Sequence, residues 1–582
     1  MNNHKIEFKD CLKVYTRDQD KALSPEETLE RFYKKIRNFN TKILSEVKRI
    51  DNGRLDIPVY FSVCTDEAQA LTGTKKQMGK GASSIQSKAS ACMELAERFS
   101  FFSFKSTASN FITGDYAAMR SSGYPVMDSG LLLSSVEDEN LTQDQLEKLL
   151  EGIPMLWTWA TNVSCNEQVL LPFSWFYAIN EFNGPSAGNT YEEAALQGIC
   201  EIVERHVCSV IHHHHLETPV IDADSTKDPV ARELLEKFRK NNIELYLHDF
   251  SLDTGICSVG ALAIDHSTFP QLSEIVYTAG TTPGPDKAII RAITEVAQLG
   301  GDFNTGSNYV ASGLPKPLSL EEVRYLTNSG KTIAVQQMAD LSDDNMKVEI
   351  ENCLTELKKR NRDVFMIDVT HPDLAIPALY TIIPGAHFRE RSARHDAGLF
   401  AAKLLNELVE DQALFNEKLE VMGAILPDSY YLSFYRGKSL FNRGDFSGAI
   451  TCFDQALDQN PENEDMPYIY SYKGHSLKDL EQYDKAIAVL NQGCNEDDER
   501  PDLHNLLGFC YFKKEQYHDA IRHFERAVHL NPSSAMDYAN LGVNHKRLKN
   551  SEEAIHYFTL ALTLDSSLEF ARVQLQELTE NR

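Results

Sequence analysis

The sequence predicts an α+β body followed by an all-α superhelix of helical hairpins. Three observations carry this. Strand-like and helix-like apolar patterns alternate over about residues 1–428. A register of small and large apolar residues then recurs to about residue 568. At 582 residues, with 42% hydrophobic and 25% charged residues, the chain is long enough for several packed domains.

The repeats are the clearest elements. Gly437, Gly474, Gly508 and Gly542 are each followed twelve residues later by Ala449, Ala486, Ala520 and Ala554. Four further on stand Phe453, Leu490, Phe524 and Phe558; three beyond those stand Ala456, Gly493, Ala527 and Ala561. Pro461 and Pro532 close the first and third units. Small residues where two helices touch, with large ones between repeats, are the tetratricopeptide pattern. Residues 430–568 therefore read as four helix–turn–helix repeats, with a capping helix over 569–582. Such arrays expose a concave face for a peptide or protein.

Before them, LDIPVYFSVC (55–64), ELYLHDF (244–250), ICSVGALAI (256–264), DVFMIDVT (363–370) and IPALYTIIP (376–384) read as strands. Helices are expected over 86–104, 191–211, 286–300 and 396–410, the second capped by Asn189 and Thr190. The reading divides the chain into an N-terminal extension (1–45), a body (46–410), a connecting segment (411–429), the repeats (430–568) and the cap. The stretch 105–150 reads as an irregular insertion.

Charge and targeting narrow the setting. Acids outnumber bases 85 to 58, which disfavours a nucleic-acid partner. No apolar run reaches the roughly 20 residues of a membrane helix. The start, MNNHKIEFKDCLKVY, lacks the apolar core of a signal peptide, so the expected setting is cytoplasmic and membrane-free. The 11 cysteines form no CxxC pair, and their scatter fits reduced thiols.

Three helices repeat one polar stripe at i, i+4, i+7: Ser90, Glu94, Glu97; Gln197, Glu201, Glu204; and Arg291, Glu295, Gln298. That spacing places each trio on one helix face. The first two stripes end in Glu-x-x-Glu-Arg, with Arg98 and Arg205, among apolar neighbours. Solvated faces paired to those arginines are one account. The recurrence favours another: carboxylates converging from two helices form a hard-oxygen cage for Mg²⁺, which usually holds a polyphosphate too, with Lys80 and the arginines meeting phosphate. The loops MGKGASSIQSK (78–88) and NGPSAGNT (183–190) each enter a helix N-terminus, where backbone N–H groups can hold an anion. The first lacks Walker spacing.

MGKGASSIQSKASACMELAERFS and NGPSAGNTYEEAALQGICEIVERHV resemble two signature segments of the YcaO superfamily; TAGTTPGPDKAIIRAITEVAQ (278–298) resembles its third, and DVFMIDVTHPDLAIPALYTIIPGA (363–386) its closing strands. The resemblance spans about residues 45–400 and implies an ATP- and Mg²⁺-binding body that phosphorylates a backbone amide oxygen of a peptide. That activates the carbonyl towards azolines, thioamides or related products. It also implies that Glu94, Glu97, Glu201 and Glu204 ligate metal, and that Lys80, Ser90, Ser186, Asn189, Gln197, Arg205 and Arg291 contact the nucleotide. Gly300 stands where many relatives carry arginine, and no proline-rich tail ends the chain. A thioamide-type or accessory role is thus favoured over cyclodehydration, with sulfur delivered by a partner protein and the repeats recruiting substrate or partner. The alternative is a nucleotide-binding adaptor without catalysis. The tetrad His212–His215 reads as incidental surface, and Arg389, Arg391 and Arg394 as a solvated helix start or a patch near phosphate.

Overall fold

A computed structural model describes residues 5–580 except 271–272, 304–316, 318, 329, 389–395, 532–533 and 566. Pro532 and the arginine cluster at 389, 391 and 394 therefore lie outside the described residues. The chain forms two compact units, residues 1–397 and 398–582.

The first unit contains fourteen described strands: β1 (Leu44–Arg49), β2 (Val59–Cys64), β3 (Lys76–Lys80), β4 (Ile112–Gly114), β5 (Met155–Asn162), β6 (Glu167–Pro172), β7 (Pro185–Ala187), β8 (Val220–Asp222), β9 (Glu244–Asp249), β10 (Ser258–Ile264), β11 (Val276–Thr281), β12 (Thr332–Ala334), β13 (Phe365–Asp368) and β14 (Ala378–Ile382). They build three sheets, ordered β1-β2-β3, β11-β10-β9-β8-β12 and β4-β5-β13-β14-β7 with β6 on β5. All pairings are antiparallel save β8 with β12, so the body is α+β. The region 105–150 is not a detached insertion: β4 pairs with β5, and Leu132, Leu146 and Leu150 are buried.

Each sheet feeds one signature helix through a short loop. β3 leads to the helix Ser84–Ser106, β7 to Tyr191–His214 and β11 to Pro285–Gly300. Ser83 caps the first by accepting from the Gln86 N–H, and Thr190 caps the second by accepting from the Glu193 N–H. The third starts on Pro285 at its first position. Glycine brings strand and helix close. A Cβ on Gly79 would lie 2.1 Å from the Ala91 nitrogen, and one on Gly280 2.4 Å from the Ala292 nitrogen.

Residues 1–45, read as an extension, belong to the body. Ile6, Cys11 and Ala22 are buried in the core around the second signature helix, and the helix Pro25–Arg37 buries Leu29 and Phe32 against the first. Lys13 ties the segment down by donating to Asp20 at 2.8 Å and to the buried Glu349 at 2.5 Å.

In the second unit, four helical hairpins run from Tyr430–Asn442 to Ser551–Leu564, followed by Glu569–Glu580. The sequence register is a packing register. Cβ atoms built on Gly437, Gly474, Gly508 and Gly542 would meet Phe453, Leu490, Phe524 and Phe558 at 2.4–2.8 Å. Two boundaries differ from expectation. The segment 411–429 holds the helix Gln412–Ile425 rather than an open connection, because Phe415, Leu419 and Met422 bury one face. The helix Ala397–Leu408, expected to end the body, falls almost wholly within the second unit.

Candidate functional site

The three polar stripes converge. One cleft is lined by Lys80, Ser90, Glu94, Glu97, Asn189, Gln197, Glu201, Glu204, Arg205 and Arg291, ten of the eleven residues singled out in the sequence. Glu295, Gln298 and Arg98 line it too.

Ser186 is the exception and a correction to the sequence reading. It is fully buried, and its hydroxyl donates to the Ala194 carbonyl at 2.9 Å. Alternation along β7 explains this: Ala187 faces the cleft, so its neighbour faces the opposite side.

Charges in the cleft interlock. Arg291 donates through Nε to Glu204 at 2.8 Å and through Nη1 to Gln197 at 3.1 Å. Glu204 Oε2 also accepts the Thr281 N–H at the end of β11, 2.9 Å away. Lys80, at the end of β3, contacts Glu295. Arg98 lies between the first pair of acids, 3.5 Å from Glu94 and 3.6 Å from Glu97. Arg205 lies 3.9 Å from Glu201.

The acids divide by environment. Burial, with Glu94 and Glu201 as like-charged neighbours, raises the Glu97 carboxyl well above its ordinary value against the pull of Arg98. Burial also raises Glu201, against Arg205, Arg98 and Arg291. Burial opposes ionisation of Glu204 as well, but Arg291 and Lys80 overcome it and hold the carboxyl below its ordinary value. Burial, then Arg291, pushes the Lys80 ammonium down, while Glu204 and Glu94 pull it up. Carboxyls resisting ionisation beside hard-oxygen neighbours fit a divalent cation, which would hold them ionised. Glu94, Glu97 and Glu201 can supply oxygens. Glu204 retains one oxygen beyond the one committed to Arg291 and Thr281.

Sequence reasoning missed one wall. Gln19, Lys21, Leu23 and Thr28 of the N-terminal segment line the cleft, with Glu193. Gln19 accepts from Gln86 at 3.0 Å, Asp18 accepts the Ala82 N–H at 3.0 Å, and Lys21 lies 3.5 Å from Glu193. Asn189, buried, donates to Thr28 at 2.9 Å and holds Glu193 from 3.3 Å. No periodicity marks residues 5–22, so only their packing reveals them. The histidine tetrad ends the second signature helix, His212 stacking on Tyr277 and His215 on Tyr325, and does not line the cleft.

Fold and cleft together define a protein that places acids and bases from three strand–loop–helix units around one polar cavity, with a helical repeat array in the same chain. The chain belongs to the YcaO family: the model described as "YcaO cyclodehydratase", ATP- and Mg²⁺-binding, matches residues 78–387. A tetratricopeptide-repeat model matches 511–569, and one for subunit 3 of the anaphase-promoting complex matches 442–527. An uncharacterized protein of Methanothermobacter thermautotrophicus is 28% identical over 387 residues, covering 62% of this chain and 94% of its own. The Escherichia coli ribosomal protein S12 methylthiotransferase accessory factor YcaO is 25% identical over 238 residues, 39% of each chain. The structure of YcaO from Methanopyrus kandleri bound with AMPPCP and Mg²⁺ shares the fold, with TM-score 0.51 at 21% identity over 66% of this chain and 97% of that one. ATP and Mg²⁺ are the cofactors of this family. Among the described residues, no helix is long and apolar enough to cross a membrane.

Proposed function

We propose that this chain uses Mg·ATP to activate a backbone amide of a peptide or protein substrate, and that its repeats recruit that substrate or a sulfur-delivery partner. The observation that carries the reading is the convergence of Glu94, Glu97, Glu201 and Glu204 with Lys80, Arg205 and Arg291 in one cleft.

ATP bound there would supply a transferable phosphoryl group, with Mg²⁺ neutralising its charge. The protein's part is positioning. The two glutamate pairs hold the cation side. Lys80, Arg205 and Arg291 offer cationic donors to phosphate oxygens. Arg291 orients Glu204 and Gln197 in turn, and Asn189, Thr28 and Lys21 close the remaining wall. The attacking thiol or sulfide would come from the substrate or a partner.

The E. coli relative is an accessory factor by name, which favours a second reading, in which the cleft binds nucleotide and the chain works as an adaptor. ATP turnover in the presence and absence of candidate substrate protein separates the two. Substrate-stimulated phosphate release supports amide activation. Nucleotide binding with no stimulated turnover, together with unmodified substrate by mass spectrometry, supports the adaptor.

A further inference from the structure

At the seam between the second and third repeats, three donors of different kinds come together. Cys494 lies in the last turn of the helix Tyr483–Glu496, Asp498 in the following loop, and His504 in the first turn of Pro501–Lys513. The thiol sulfur, one carboxylate oxygen and one ring nitrogen all lie within 4.8 Å of one another. From this geometry we infer that Cys494, Asp498 and His504 bind a single zinc ion, with water in the fourth position.

The surroundings are arranged as a ligand set requires. His504 is 4% exposed, and its Nε2 lies 3.2 Å from Asp498 Oδ1. Its other nitrogen, Nδ1, lies 3.1 Å from Nδ1 of His523. In the metal-free chain Nε2 carries the proton and donates to the Asp498 backbone carbonyl at 3.0 Å; a cation would take that proton's place beside the carboxylate and thiol, with Nδ1 then donating to His523. A hydrogen bond on the remote nitrogen is what usually orients a ligating histidine. Arg526 lies 3.1 Å from the second oxygen of Asp498, leaving Oδ1 directed at His504. Asp502, also near the thiol, is committed to Arg500 at 3.0 Å and Ser471 at 2.7 Å. Thiolate, imidazole and carboxylate together suit zinc, whose bonds of about 2.0–2.3 Å need only a small contraction of this cluster. A bound ion would pin the 497–500 loop between two repeats. Binding to the folded state would raise the melting temperature with zinc concentration.

The test uses the full chain stripped of metal and titrated with Co²⁺ as a spectroscopic stand-in. One equivalent should produce a thiolate-to-cobalt charge-transfer band, and Zn²⁺ should abolish it. A carboxylate cleft holding cobalt gives no such band, so binding among the glutamates is distinguished. Cys494→Ser, which is close to isosteric, and His504→Gln should each remove the band and weaken Zn²⁺ at least tenfold in competition with a chromophoric chelator. Cys452→Ser should change neither. His523→Ala should weaken zinc by roughly tenfold to a hundredfold while keeping the band. Absence of the band in the native chain, or its survival in Cys494→Ser, overturns the inference. Should His504→Gln unfold, Cys494→Ser decides.

Discussion

At the scale of single residues, the cleft works because neighbouring acids differ. Glu204 is tied to Arg291 and a backbone N–H and stays ionised, whereas Glu97 and Glu201 resist ionisation. Replacing Glu97 or Glu204 with Gln keeps shape and removes charge. Mg·ATP affinity should fall tenfold or more in each, about 1.4 kcal/mol, read by titration calorimetry; unchanged affinity in both would remove the cage. The raised carboxyls also set a pH dependence. In the cation-free cleft Glu97 and Glu201 keep protons above the ordinary carboxylate range, and ligation requires their release. Mg²⁺ affinity should therefore rise with pH through that raised range and level off above it. Binding should release protons, seen as a dependence of the calorimetric heat on buffer ionisation enthalpy. A net uptake would show that other groups hold the cation.

At the scale of elements, close strand–helix contact delivers the stripes. Gly79→Ala would force a methyl against the Ala91 nitrogen and the Ser87 oxygen, both backbone atoms, at 2.1 and 2.2 Å. β3 must then move, and Lys80 with it. The variant should lose stability and nucleotide affinity together, whereas Phe524→Ala, deep in the repeats, should cost about 3–5 kcal/mol of stability and leave affinity unchanged. Denaturant melts and nucleotide titrations of both variants check this. Equal affinity in Gly79→Ala and the parent would mean that β3 does not position the site. Legibility in the sequence follows the same physics. The repeats and the signature helices were readable because helical periodicity is local, and Glu94 and Glu97 share a face whatever surrounds them. The wall from Gln19 to Thr28 was not, because its meaning comes from partners such as Gln86 and Glu193, 67 or more residues away in sequence. Ser186 was misplaced for the same reason: motif position does not tell which side of a three-residue strand faces the cleft.

At the scale of the whole molecule, the two units should divide the labour. A fragment ending at residue 397 contains every described cleft residue and should fold and bind Mg·ATP with parental affinity. Insolubility of this fragment alone would make the second unit part of its fold. Deleting 430–582 should spare basal ATP hydrolysis and action on a short peptide yet abolish modification of the full-length substrate, because docking raises the local concentration of the amide. Equal loss on both substrates would assign the repeats a structural role instead.

The central claim, that this cleft drives chemistry on a peptide backbone, is tested most directly by proteome-wide mass spectrometry of source cells that lack the protein and carry either the native chain or Glu97→Gln. A peptide should show a backbone loss of water or oxygen-to-sulfur exchange with the native chain and neither with the variant. Identical peptide masses in both strains, or a modification that persists with Glu97→Gln, would contradict it.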